Sequence, residues 1–310
     1  MAFTLAHMAA ALPFYRNNNK SHSRRWLQFD ALLIGTMIPD LPYYTGGSSA
    51  IGDLSHQWVG VLTYCLPSGI LVFALWYWVL KPAAYGLIKP FLRKATGDRF
   101  NEDRYKGQRR IIGYADKHWS FARLKKRIMH GLSSFYLPVI FGLIFGAATH
   151  LVWDGFTHAD GSIARHIDWL QYPLYFYPFK GTSIARLLQY LTSMAGLAAL
   201  LWFAISRLQA RQRQNYKSKT QIITLDDAKS SIFTKRQSLS IVGLMLIASL
   251  ALVMQAVLKW YPSLIGSPYR FAAKVSVSVL PDIALLCLVY ALVYQFIYLS
   301  RHVYFRDKKR

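Results

Sequence analysis

A chain of 310 residues that is 54% hydrophobic, with a mean hydropathy of +0.21, and that still carries a net charge of +23 excludes an ordinary soluble domain. Apolarity and basicity in such excess coexist where apolar spans alternate with basic loops, the pattern of an integral membrane protein. The two cysteines, Cys65 and Cys287, both lie in apolar segments and give neither a disulfide framework nor a paired-thiolate metal site.

The start, Met1 to Leu12, has no basic n-region and no long apolar core. No cleavable signal peptide is expected, and insertion falls to the first spans. Thr4 is placed to cap a short helix from Leu5, which Pro13 and the run Asn17-Asn18-Asn19 end. His7 sits in its first turn. The next apolar segment, Trp26 to Ile38, stops at Pro39-Asp40 and Pro42 and is too short to cross a bilayer, so it should be buried or re-entrant. Five longer segments follow: Trp58–Leu80, Leu132–Trp153, Ile184–Ser206, Leu239–Leu258 and Val277–Leu299. Each is about 20 residues long, enough to cross a hydrocarbon core of roughly 30 Å. The fold class expected is therefore all-α and membrane-integral, with five full spans and two short N-terminal helices. Residues 1–160 read as a metal-site core with a basic loop at 81–130. Residues 161–310 read as three further spans with a polar linker at 207–238.

Lysine and arginine fix the orientation. Residues 16–25 hold four, 81–127 hold 14, 207–236 hold eight and 301–310 hold five, whereas the alternate loops together hold five. Basic loops stay on the cytoplasmic side, and so does the C-terminus. The aromatic and basic run from Tyr114 to Arg127 suits a helix lying on anionic lipid. Nucleic acid is not an expected partner. His22, His118, His130 and His302 fall on this cytoplasmic side.

The stretch His150-Leu151-Val152-Trp153-Asp154-Gly155-Phe156-Thr157-His158 closes the second span. Residues four apart share a helix face, so His150 and Asp154 point the same way. Gly155 should end the helix and His158 should fall in the following turn. Ionisable groups at the end of an apolar span are costly to keep and read as functional. The orientation then brings Asp40 and His56, at the start of the first span, to the same outer face, and leaves His7 at the outer end of its short helix. Six candidate ligands gather there: His7, Asp40, His56, His150, Asp154 and His158. Nitrogen and carboxylate ligands without thiolate suit Zn²⁺, with Mn²⁺ or Fe as alternatives, and six are enough for one or two ions. A helix-ending turn at Pro39-Asp40 and an interfacial histidine at position 56 are the blander readings of those two residues.

Taken together, Phe3-Thr4-Leu5-Ala6-His7, Gly35-Thr36-Met37-Ile38-Pro39-Asp40, Ser55-His56 and the stretch from His150 to His158 resemble the bacterial membrane proteins grouped as domain of unknown function 4184. That family is similar to the LexA-regulated membrane-bound metal-dependent hydrolases. More distantly it is similar to zinc-dependent phospholipase C, whose helical core binds three zinc ions. The resemblance covers roughly residues 1–160. It implies that Asp40, His56, His150 and Asp154 are metal ligands, joined by His7 and His158. The chain departs from the phospholipase in two places. It begins Met1-Ala2 rather than with a ligating Trp, and its one glutamate, Glu102, forms no His/Glu pair four apart. His166 and Asp168 are the candidates to stand in for that pair.

The function expected is a hydrolase of the inner membrane. An ion-activated water would cleave a phosphoester of a lipid or lipid-linked substrate at the outer face. Arg165 or Lys180 could hold the substrate phosphate. The alternative is a transporter or metal-handling protein using the same cluster. Against it, the spans show no inverted repeat and their middles hold almost no ionisable groups.

Overall fold

The computed structural model describes residues 4–15, 27–92, 121–176, 179–217, 232–266 and 268–307. The basic run 16–25, most of the 81–127 loop with His118, and residues 218–231 of the linker lie outside them. Among the described residues the chain is helical, with one isolated bridge between Pro173 and Ser183 in place of any strand.

Two short helices open the chain: α1 (Thr4–Phe14), tightened to 3-10 geometry from Met8, and α2 (Phe29–Gly35). The side chain of Gln28 caps α2 by accepting from Ala31 N–H at 2.7 Å. A 3-10 turn, Ile38–Asp40, leads into α3 (Leu41–Thr45) and α4 (Ser49–Ser55). The first span, α5 (Trp58–Ile88), contains two π-helical turns, Val61–Cys65 and Trp76–Leu80. A π turn breaks the regular ladder and leaves carbonyls to be satisfied inside lipid. Gln295 does this for the second turn, donating to Trp78 O at 3.0 Å and Val79 O at 3.4 Å.

The second span lies within α6 (Phe121–Thr157), and a loop with the small helix α7 (Asp168–Gln171) carries the chain to α8 (Ile184–Lys217). Two further spans, α9 (Lys235–Trp260) and α11 (Pro268–Asp307), flank the short α10 (Pro262–Gly266). Among the described residues, five helices are thus long and apolar enough to cross a membrane, as expected. The linker begins later than its polarity implied. Helix α8 runs on to Lys217, through a stretch rich in Gln and Arg that forms helix readily.

Helix α6 is central: α2, α5 and α8 all pack on it, while α1 lies on α8. The tightest approach is α2 on α6. A Cβ on Gly146 would stand 2.5 Å from Leu32 O and 2.7 Å from Thr36 N, and one on Gly35 would stand 2.5 Å from Leu143 O. Only glycines let two backbones meet this closely in a bilayer. Below the contact, Ala31, Phe73, Val139 and Leu143 fill one apolar layer, and Ile38, Val61, Cys65, Ala147 and Leu151 fill the next. Helices α9 and α11 pack together and against the C-terminal half of α5, and α11 also reaches α3.

Candidate metal centre

His150 and His56 are each aimed by a backbone carbonyl that the fold supplies. Because α2 lies so close to α6, the Thr36 carbonyl meets His150, whose Nδ1–H donates to it at 2.8 Å. His56 follows the last turn of α4, and its Nδ1–H donates to Gly52 O at 3.0 Å. The turn that swings it inward needs Gly60, where a Cβ would lie 1.8 Å from Leu54 O. Ser55 donates to Pro39 O at 2.7 Å and so ties the His56 turn to the Asp40 turn. Asp40 accepts at Oδ2 from the hydroxyl of Thr4, which is itself 2.7 Å from the Tyr44 hydroxyl. Thr4 was expected to cap α1; a buried carboxylate takes its hydroxyl instead, because that acceptor costs more to leave unmet.

With both Nδ1 atoms engaged by carbonyls, Nε2 of His56 and Nε2 of His150 are the ring nitrogens that face the two carboxylates. His56 Nε2 lies 3.3 Å from Asp40 Oδ1 and 3.8 Å from Asp154 Oδ2. His150 Nε2 lies 3.7 Å and 3.3 Å from the same two oxygens. One ligand atom from each of the four residues falls within 4.8 Å of all the others. Tetrahedral ligands held at zinc's bond lengths of about 2.0–2.1 Å stand about 3.3 Å apart. The set therefore has the spacing and the chemistry to hold one small divalent cation. His150 Nε2 is buried without a hydrogen-bond partner, which is the state of a group shaped for an ion.

Two carboxylates in a buried cluster repel each other, and a cation between them relieves that repulsion. Burial works against ionising Asp40. The charge of His150 and the hydrogen bond with His56 outweigh it, and the carboxyl is held below its ordinary range. Burial and the neighbouring His150 hold His7 below the usual histidine range, and burial does the same for His158. Both rings are thus biased toward the neutral form that a metal ligand needs.

His7 stacks on His150 with ring centroids 4.0 Å apart, and its Nε2 lies 3.3 Å from Asp154 Oδ1. Asp154 accordingly faces two ways, Oδ2 toward His56 and His150 and Oδ1 toward His7. His158 stands at the edge, its Nδ1 3.6 Å from Asp154 Oδ1 and its Nε2 2.9 Å from the amide nitrogen of Gln189. The six candidates therefore lie in one connected cluster. His166 does not join it, since Arg165 donates to its Nε2 at 3.2 Å, and Asp168 stands exposed at the head of α7.

The helix carrying His150 and Asp154 does not stop at Gly155 but runs to Thr157. Gly155 serves a different need. The loop after the helix folds back, with Ile163 N–H on Gly155 O at 3.2 Å, and the Ile163 side chain would lie 3.2 Å from a Cβ there. Sequence reasoning also missed the Thr36 and Gly52 carbonyls, Thr4 and Gln189. Backbone carbonyls leave no mark in a sequence, but an amide in the apolar Ile184–Ser206 segment is such a mark.

The family model described as Domain of unknown function (DUF4184) matches residues 1–296, and the chain belongs to that family. The match extends well past residue 160, through the spans that supply Gln189 and Gln295. Nothing matches among curated proteins, and nothing matches among solved structures.

Proposed function

We propose that this member of the family is a metal-dependent hydrolase, cleaving a phosphoester of a lipid or lipid-linked substrate at the outer face of the inner membrane. The observation that carries the reading is the four-residue cluster of Asp40, His56, His150 and Asp154, spaced for one cation at the end of an apolar span. Zinc suits this donor set and spacing best. When bound, the ion would supply a Lewis acid that lowers the pKa of a water and offsets charge developing on a phosphoester.

The residues themselves do the rest. Asp40 and His150 form the closed floor, with side chains 3% and 0% exposed. His56 and Asp154 form the open side, at 24% and 14%. A substrate would thus approach past His56 and Asp154, from the end of the span where head groups lie. His7 and the second oxygen of Asp154 offer a further, weaker position for an ion. Two carboxylates, Asp40 and Asp154, face the same buried space, so the cluster favours a cation over a free phosphate until one is bound.

Purified protein is the place to test this. Metal analysis should find about one tightly held zinc per chain, and a screen of phospholipids and lipid-linked phosphates should find release of a phosphate or head group. That release should stop on chelation and return with zinc. Zinc bound with ion uptake into vesicles and no release from any lipid phosphate would favour the transporter instead.

A further inference from the structure

The centre is completed by a residue from the C-terminal half of the chain. Gln189 lies one turn into the apolar span of α8 and is 1% exposed. Ser193 and Gly196 follow on the same face, and Gly196 brings α8 against Ala6, next to His7. A polar amide buried in an apolar span is a functional suspect, and its partner is the first thing to name. Here the partner is His158.

The amide nitrogen of Gln189 stands 2.9 Å from His158 Nε2. An amide nitrogen can only donate, so Nε2 must supply the lone pair. A neutral imidazole with its lone pair on Nε2 carries its proton on Nδ1. That nitrogen faces Asp154 twice, at 3.3 Å from the main-chain oxygen and 3.6 Å from Oδ1. Both atoms are acceptors, so a proton on Nδ1 satisfies the contact and a lone pair there would oppose it. With the amide turned the other way, Oε1 would take an Nε2–H and force that opposed arrangement. Gln189 Oε1 stays without a partner in the observed orientation, so the amide is held by what its nitrogen does.

We infer that Gln189 is a positioning residue that holds His158 as a hydrogen-bond donor to Asp154 and keeps it off the ion. This rests on the metal-centre reading above for its purpose, though not for its geometry. It moves His158 from the ligand set expected from the sequence to the layer behind it. It also leaves only His7 and Asp154 for a second ion, which is why a single tightly held ion is expected. Such outer-layer partners orient a ligand, and removing one commonly lowers metal affinity about 10- to 100-fold.

The test is nitrogen NMR on [15N]histidine-labelled full-length protein, metal-free and zinc-loaded, with His158→Gln to assign the signals. In both states His158 should show a protonated Nδ1 and a bare Nε2. Gln189→Glu, which offers an acceptor in place of the donor, should reverse the tautomer. Gln189→Leu should abolish the preference and weaken zinc binding about 10- to 100-fold. A wild-type spectrum with Nδ1 bound to zinc and Nε2 protonated would overturn the inference, as would Gln189→Leu with unchanged tautomer and affinity. If Gln189→Leu does not fold, the wild-type spectrum alone decides. The metal-free tautomer can be read whether or not any hydrolysis is found, so this inference and the hydrolase reading fail separately.

Discussion

Asp40 shows at the residue scale how much of the centre is set behind the ligands. Its carboxylate is buried, with Oδ1 facing His56 and His150 and Oδ2 held by the Thr4 hydroxyl. Thr4 is therefore a support for the ion, although it would never touch it. Thr4→Val keeps the shape and removes the donor, leaving one buried carboxylate oxygen unmet at a cost of about 1–3 kcal/mol. We expect the variant to insert and fold, with zinc affinity reduced about 10-fold or more. Thr4→Ser should restore most of it. Competitive titration with a chelator checks this, and equal affinity in Thr4→Val and wild type would remove Thr4 from the account. His7, Asp40, His56, His150, Asp154 and His158 were all legible as candidates because side-chain type and span position are written in the sequence. What they bond to behind the ion was not, since the Thr36 and Gly52 carbonyls belong to every sequence alike.

Packing of α2 on α6 is the element that makes the site possible. Gly35 and Gly146 let the backbones touch, and that contact delivers the Thr36 carbonyl to His150. Gly146→Ala would set a methyl 2.5 Å from Leu32 O, where neither backbone can yield without moving the helix. Overpacking of this kind costs typically about 1–3 kcal/mol. The variant should lose thermal stability and, with Thr36 displaced, lose zinc as well. Gly243→Ala on α9 is the control, because nothing lies within 4 Å of a Cβ there, and it should change stability by no more than about 0.5 kcal/mol. Comparable unfolding temperatures for the two variants would contradict the packing argument. The spans themselves were readable from hydropathy. The turns were less so: Gly155 reads as a helix stop by rule, yet tertiary contact with Ile163 makes it a site of close approach inside the helix.

For the whole molecule, a polar cluster at the end of an apolar span leaves one question that decides every functional statement, namely which side the cluster faces. The positive-inside rule would keep the basic loops in the cytoplasm, and on that rule we propose that the cluster faces outward. Single cysteines at Ser120 and Ser162 of a cysteine-free variant answer it in intact cells. An impermeant reagent should label Ser162→Cys and spare Ser120→Cys, and the reverse pattern would move the centre to the cytoplasmic face. The division at residue 160 has a chemical join across it. Gln189 reaches His158 from α8, and Gln295 caps a π turn of α5 from α11. Neither contact could be read from spacing, because each joins residues on different spans.

The central claim is that Asp154 holds an ion, and bound metal per chain tests it most directly. Asp154→Asn keeps the side chain's shape and one carbonyl oxygen but removes the charge that a cation between His56, His150 and Asp40 requires. Measured beside Asp53→Asn, an exposed residue outside the cluster, and matched for expression and thermal stability, Asp154→Asn should lose most of its zinc while Asp53→Asn keeps it. Equal metal content in Asp154→Asn and the wild type would contradict the account.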